Sequence, residues 1–576
     1  SVRGHKLFNQ IERAMLSVRV FRQAHAKIGS RTRNAVEAVA FQQRLKSSSA
    51  ATCPVTGSAI SENVATNTNE PQLNIVPSLP FVGSTIRQHS GIPSEMGEGK
   101  EFKFWMNMRE KYGDFYRLGI PGFGVGSHGL AHVVTCPHEF AKVIRSEGKY
   151  PSGVLQIQWG LQKALEEEMD SPITRGEDKG FFGRGMDWKR MRTFLQTDLL
   201  NPQAANGYVP GVIQAAELAS KGAPAMSNDL NNYLNHCTFD MFNSIMFGQL
   251  VGTADSSTPT KEVDEEYVQS ASTLLQTNNI LNKDPYEIIM GKLGIKTEKY
   301  GILVDHLKRV YQIGDSKVHQ FTERKNHGEL NDLEEKSWLA HAIERQAAGG
   351  TGITDEEMVA ISGIILSASV DTTSSLLSWN LLHIALNQDV QERVHEELST
   401  AIASTGSGDG RLSADIFNKK TTPYLHAVLR ETFRLTPAAP LASFKKVGSE
   451  IEIHGQKFPE GSFFIFEGYS TGQQVFADDA QSFRPERWLP EAIDSRKGTP
   501  QAVIDHAFFR DPFSQGARKC PGSRVASNEA QVMLAQLLLD WKISVPGVDS
   551  HNEVPYKLMG AMAPILPTME FVPRSS

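Results

Sequence analysis

Cysteine is scarce in this sequence. There are four in 576 residues, Cys53, Cys136, Cys237 and Cys520, with no Cys-x-x-Cys pair and no regular spacing. That excludes a disulfide scaffold and a cysteine-built zinc site, and it points to a reducing compartment. Long apolar runs are missing too: no uninterrupted stretch of about 18 apolar residues occurs, so no membrane-spanning anchor is expected. No unit of about 20–50 residues recurs, which removes solenoids and propellers. With 47 Gly, 28 Pro and 22% charged residues, the chain as a whole is neither collagenous nor disordered.

Acids are nearly absent from the first 50 residues, which carry ten Lys/Arg against only Glu12 and Glu37. That segment is +8 in a chain whose total is −6, leaving −14 for the remainder. A basic, acid-poor, serine-containing amphipathic opening is what a transit peptide looks like, so residues 1–46 are expected to direct the chain to an organelle, mitochondrion or plastid. The competing reading is an arm that binds nucleic acid or lipid; the bases are spaced along the segment and not bunched, which argues against a nucleic-acid partner. Residues 47–70 are rich in Ser, Thr, Ala and Asn, too polar to bury a core, and read as a linker. The folded domain is expected over 71–571, with 572–576 as a short tail.

Most of residues 100–435 reads as helix. Thr354 and Glu357 form a capping-box pattern ahead of an apolar stretch from Met358 through Ala385 that has no Gly or Pro after Gly363. This predicts a buried helix of about 30 residues, roughly 45 Å long. Thr422 as N-cap and Pro423 at the first position start another helix, ending at Leu435 before Pro437. The period then changes to two, with Ile451 and Ile453 alternating with acids, His454-Gly455 as a turn and Phe463 to Phe466 as a short apolar run. Helices followed by a small sheet predict an α+β fold, mostly α.

Within Phe513-Ser514-Gln515-Gly516-Ala517-Arg518-Lys519-Cys520-Pro521-Gly522, two glycines and a proline flank one cysteine, and Ser523 to Trp541 resumes a helical pattern. A cysteine just ahead of a helix N-terminus, beside Arg518 and Lys519, is expected in a positive potential that favours thiolate over thiol. Such an anion serves nucleophilic catalysis, redox sensing or metal ligation; buried packing is the commoner role of a lone cysteine.

This segment resembles the haem-binding loop of the cytochrome P-450 family, Phe-x-x-Gly-x-Arg-x-Cys-x-Gly, at every specified position. The resemblance implies a haem-thiolate monooxygenase fold with a long distal helix and a bound haem b. Cys520 would be the axial iron ligand, Phe513 would pack near its sulfur, Gly516 would shape the loop, and Arg518 would pair with a haem propionate. Three further segments follow the family's order. Glu431 and Arg434 with Arg487 resemble its Glu-Arg-Arg network, which implies a structural brace. Asp371 and Thr372, midway along the long helix, resemble its acid–alcohol pair, which relays protons to iron-bound dioxygen; Ser369 stands where the family usually has Gly. Trp188 and Arg192 resemble the Trp-x-x-x-Arg that holds the other propionate. Lys445 and Lys446 stand where the family often has another arginine, a point charge replacing a bidentate fork.

The basic opening and the stretch Leu199 to Ala205 resemble the mitochondrial branch of that family. That resemblance implies a peripheral inner-membrane enzyme taking electrons from an adrenodoxin-like ferredoxin and its reductase. Arg524 keeps one of the branch's two arginines after the haem loop, and Ser523 replaces the other. Arg430 matches a basic docking residue whose companion position is His426. Arg430, Lys519 and Arg524 are therefore the expected docking cations. The function expected is insertion of one oxygen atom into an apolar, lipid-like substrate; sterol, fatty acid, terpenoid and xenobiotic all stay open. The alternatives are a haem-thiolate enzyme that rearranges or uses peroxides without an electron donor, and a haem sensor without turnover.

Overall fold

Thr354 ends an extended approach and its hydroxyl accepts from the Glu357 amide at 3.2 Å, while the Glu357 carboxylate accepts from the Thr354 amide at 3.0 Å. This reciprocal cap, with Asp355 and Glu356 on the positive end of the helix dipole, nucleates a helix of 32 residues, Asp355–Leu386. Its apolar residues surround it on all sides, so it belongs in the middle of the molecule. By length and composition it could cross a membrane, but 78% of its most apolar window is buried by other elements, which makes it a core helix.

The computed structural model describes residues 74–75, 99–119, 130–151, 159–255, 261–405, 410–439, 443–558 and 561–574. The targeting segment and linker expected over 1–46 and 47–70 lie outside the described residues. The elements that frame the site begin, in chain order, with strand β1 (Asn74–Ile75), helix α1 (Glu101–Tyr112), strands β2 (Phe115–Gly119) and β3 (Leu130–Val134), and helices α2 (Pro137–Ser146) and α3 (Gly185–Leu199). Helices α4 (Val209–Gly222), α5 (Leu230–Met246), α6 (Glu262–Lys283), α7 (Pro285–Lys292) and α8 (Glu298–Asn326) follow, then the central helix α9 (Asp355–Leu386), α10 (Gln388–Thr405) and α11 (Pro423–Leu435). Strands β4 (Ser443–Lys446) and β5 (Phe463–Phe466) precede the last long helix, α12 (Ser523–Asp540).

Helix α9 is the hub: α5, α6, α8, α11 and α12 all pack against it. Each Leu or Ile it buries contributes about 1.5–3 kcal/mol of transfer free energy, and that burial sets its path through the core. The fold is α+β, mostly α, as expected. The sheet departs from a simple helices-then-strands order. Its strand order is β1-β2-β3-β5-β4, with β3 and β5 parallel (Ala131 opposite Phe463) and β4 and β5 antiparallel (Ser443 opposite Phe466). Three of its five strands therefore lie ahead of every described helix but α1. Two of these, β2 and β3, are five-residue runs too short to interrupt the helical reading of residues 100–435. Ile451–Ile453 pairs instead with Gln456–Phe458 in its own hairpin, turned by His454 and Gly455 at φ 49° and 75°, the positive pair that a tight primed turn demands.

Helix α11 has the bounds expected, but not the cap. The Thr422 hydroxyl donates to the Ile416 carbonyl at 2.8 Å, and the first amides of the helix, Tyr424 and Leu425, donate to the Glu397 carboxylate of α10 at 2.7 and 2.9 Å. A carboxylate on a neighbouring helix satisfies orphan donors as well as a local hydroxyl, and adds a favourable charge at the positive end.

Candidate cofactor site

The loop ahead of α12 closes on itself. The Cys520 amide donates to the Phe513 carbonyl at 2.9 Å and the Lys519 amide to the Gly516 carbonyl at 3.1 Å. Ser514 and Gly516 sit at φ 65° and 79°. At Gly516 a side chain would collide as well as strain the backbone, since a Cβ there would lie 2.7 Å from Glu147 Oε2 and 3.2 Å from Ile144 Cγ2 of α2. Cys520 lies deep in the molecule yet keeps partial exposure. The electrostatic expectation for it is not met by protein groups alone. Burial pushes its thiol up, outweighing the Gly522 amide and the Arg192 and Lys519 charges that pull it down. Lys519 is ion-paired with Asp511, which itself raises the thiol.

Two guanidinium groups converge on this loop. Arg192, on α3, is buried, donates to Gln196 Oε1 at 2.8 Å and also to the Lys519 carbonyl. Arg518 stacks over the buried ring of Trp188 at 4.3 Å and donates to the carbonyls of Pro151 and Gly183. Burial draws both guanidinium groups down to about 10. Among the described residues neither makes an ion pair: Glu147, the acid that acts on Arg518, is itself paired with the buried Lys445 at 3.4 Å. A buried Arg192 and a half-buried Arg518 without carboxylates of their own are costly unless an anion joins them. A dianionic cofactor lying beside a buried thiol fits this donor set, and haem b is such a cofactor. Among the described residues no cluster of three or more His, Cys, Asp or Glu could hold a metal ion.

Helix α9 opens toward solvent-accessible space at one place. After its first turn only Ala368 and Thr372 are exposed, one turn apart on one face, and the Thr372 hydroxyl donates to the Ala368 carbonyl at 2.9 Å. Asp371 points elsewhere. It is 2% exposed, its Oδ2 accepts from Ser272 of α6 at 3.2 Å, and its Oδ1 has no partner among the described residues. Burial raises its carboxyl to about 6, against the Ser272 hydrogen bond, which lowers it. A native carboxyl raised above its unfolded value stabilises the fold fully at low pH and loses that contribution as pH rises through about 6. Asp371→Asn is therefore expected to flatten the stability profile between about pH 4 and pH 6, read from urea midpoints across that range.

Behind the loop, Glu431 accepts from Arg434 at 2.8 and 2.9 Å, from Arg487 at 3.2 Å and from the Trp488 indole at 2.8 Å, with all three charged side chains buried. The structure thus brings Glu431, Arg434 and Arg487 into one network. The cations expected on a docking surface fare differently. Arg430 is drawn inward, paired with Asp505 at 3.0 Å and stacked on Trp488 at 4.0 Å, so its charge is already compensated. Lys519 is half-buried and held by Asp511. Arg524 alone of the three is exposed, with its Nε donating to the Leu200 carbonyl at 2.7 Å. Sequence reasoning left Lys445 without a role and missed Glu147 and Ser272, whose partners are far away along the chain.

The Cytochrome P450 family model matches residues 76–569. The chain is 27% identical to the mitochondrial sterol 26-hydroxylase of Rattus norvegicus, covering 72% of this chain and 74% of that protein. It is 25% identical to the probable mitochondrial cytochrome P450 12c1 of Drosophila melanogaster, covering 80% and 84%. It is 23% identical to the mitochondrial cholesterol side-chain cleavage enzyme of Capra hircus, covering 82% and 87%.

Proposed function

This chain belongs to the cytochrome P450 family, and on that premise we propose that it is a mitochondrial monooxygenase that takes electrons from an adrenodoxin-like ferredoxin and hydroxylates a lipid-like, sterol-class substrate. The observation that carries the reading is the half-buried Cys520 thiol flanked by the buried guanidinium of Arg192 and the half-buried one of Arg518, neither with a carboxylate of its own among the described residues. Haem b, when bound, supplies the dioxygen chemistry, and thiolate ligation favours O–O cleavage. In this reading Cys520 binds the iron, and Arg518 over Trp188 and Arg192 of α3 hold the two propionates. Phe513 and Gly516 set the shape of the loop, and Gly516 lets it approach α2. Glu431, Arg434 and Arg487 brace the core behind it.

Thr372 is exposed on α9 with its hydroxyl on the Ala368 carbonyl, and Asp371, with a carboxyl raised to about 6, is able to both hold and release a proton near neutral pH. Thr372→Ala is expected to keep the haem and divert electrons to peroxide, lowering product per electron by roughly 10-fold or more, as the loss of a positioned proton donor does. Product and peroxide counted against NADPH consumed check it; unchanged coupling would oppose the relay role.

The same reading takes 1–46 as the targeting segment, 47–70 as linker, 71–571 as the enzyme domain and 572–576 as a tail. Names of mitochondrial relatives support the compartment. Exposed Ile280, Tyr286, Leu293, Ile295 and Ile302 gather where α6, α7 and α8 meet, which supports peripheral contact with the inner membrane. For the electron donor, exposed Arg524 is the favoured docking cation, with Lys519 beside the loop in second place and Arg430 already paired. Turnover of a sterol substrate with ferredoxin, its reductase and NADPH tests the function. Turnover with hydroperoxide alone, or none with either, would overturn it.

A further inference from the structure

Asp371 and Thr372 are neighbours on α9, yet they face different surroundings: Thr372 is exposed with its hydroxyl on the Ala368 carbonyl, and the Asp371 carboxyl is turned against α6. On α6, Gln276 Nε2 donates to Ser272 Oγ at 2.9 Å, and Ser272 Oγ in turn donates to Asp371 Oδ2 at 3.2 Å. A hydroxyl has one hydrogen and two lone pairs. With Gln276 donating into one lone pair, the single hydrogen of Ser272 is left for the carboxyl. Ser272 and Gln276 are both half-buried, one turn apart, while Asp371 is enclosed. The line Gln276–Ser272–Asp371 therefore runs from the partly wet flank of α6 to a carboxyl that has no other partner among the described residues.

We propose that Ser272, oriented by Gln276, is a positioning residue for Asp371 and forms the hydrogen-bonded link between this buried carboxyl and the α6 side of the molecule. Charged neighbours do not perform this role. Cys237 and Asp240 on α5, Asp264 and Tyr267 on α6, and Tyr311 and Lys317 on α8 lie in the same helix cluster, but none of them acts on Asp371. Asp240 answers to Asp264 and the Thr253 donors, and Asp264 is held by Lys317 at 2.6 Å. The balance at Asp371 is therefore burial against a single hydroxyl, and a single substitution controls it.

The functional meaning rests on the proposed proton-handling role of Asp371. The test does not, because it needs neither substrate, electron donor nor turnover. In pH-difference infrared spectra of the haem-loaded protein, the protonated-carboxyl band of Asp371 is assigned by its loss in Asp371→Asn. In Ser272→Ala the midpoint of that band is expected to move up by about half to one pH unit, the equivalent of one hydrogen bond to the ionised form, and the C=O stretch to move to higher frequency. Ser272→Thr restores both. Gln276→Leu shifts them in the same direction by less, and carries the test if Ser272→Ala does not fold. An Asp371 band with unchanged midpoint and frequency in Ser272→Ala, or in Gln276→Leu where that variant stands in, overturns the proposal.

Discussion

Cys520→Ala is expected to lose all thiolate ligation and all monooxygenase turnover while keeping its fold. The backbone bonds that close the loop, Cys520 to Phe513 and Lys519 to Gly516, use no sulfur, and α12 begins beyond it at Ser523. Removing one sulfur from a deep site costs on the order of 1 kcal/mol, a small part of the roughly 5–15 kcal/mol that holds a typical domain. The variant should therefore denature near the wild-type midpoint and bind haem weakly through Arg518 and Arg192, with no product formed. Wild-type turnover in Cys520→Ala would remove the thiolate from the mechanism. A collapse of stability would make Cys520 a packing residue first.

Glu431→Ala is expected to have the opposite profile, with its effect falling on the fold. The Glu431 carboxylate takes two donors from Arg434, one from Arg487, the Trp488 indole and the Arg484 amide at 3.1 Å, and it is fully buried. Removing it strands the two guanidinium groups in low-dielectric surroundings, where Arg434 keeps only backbone carbonyls such as Ala480 at 2.8 Å. Breaking a buried ion pair from one side costs about 3–5 kcal/mol, enough to leave much of the protein unfolded or insoluble. Arg487→Ala should cost less, because Arg487 shares its charge with Asp479 at 2.8 Å, on the rim of the network. Urea midpoints of the two variants test this order. A Glu431→Ala protein within about 1 kcal/mol of wild type would mean that the network contributes little.

What the sequence made legible was whatever its local chemistry dictates. The capping box at Thr354 and Glu357 and the unbroken apolar stretch after it required a long buried helix, and α9 has those bounds within a few residues. The cysteine loop announced itself through glycines whose conformations only a tight turn needs, and Gly516 does take a positive φ. What was hidden depends on partners brought together by folding. Lys445 meets Glu147, Ser272 meets Asp371, and Glu397 caps α11, none through a local pattern. Arg430 shows the same limit from the other side. Its match to the mitochondrial branch's docking residue implied a surface cation, but Asp505 and Trp488, brought in by a later segment, draw it inward. The Cys520 thiol was expected to be acidified by its neighbours, and only the depth of the site shows that burial wins.

The account depends on a bond from the residue 520 sulfur to haem iron, and the carbon monoxide difference spectrum of the reduced, folded wild-type protein reads that bond directly. A band at the long-wavelength position of a thiolate-ligated haem is predicted, absent from Cys520→Ala. A wild-type band at the shorter wavelength of an imidazole-ligated haem, or a thiolate band that survives in Cys520→Ala, would contradict it.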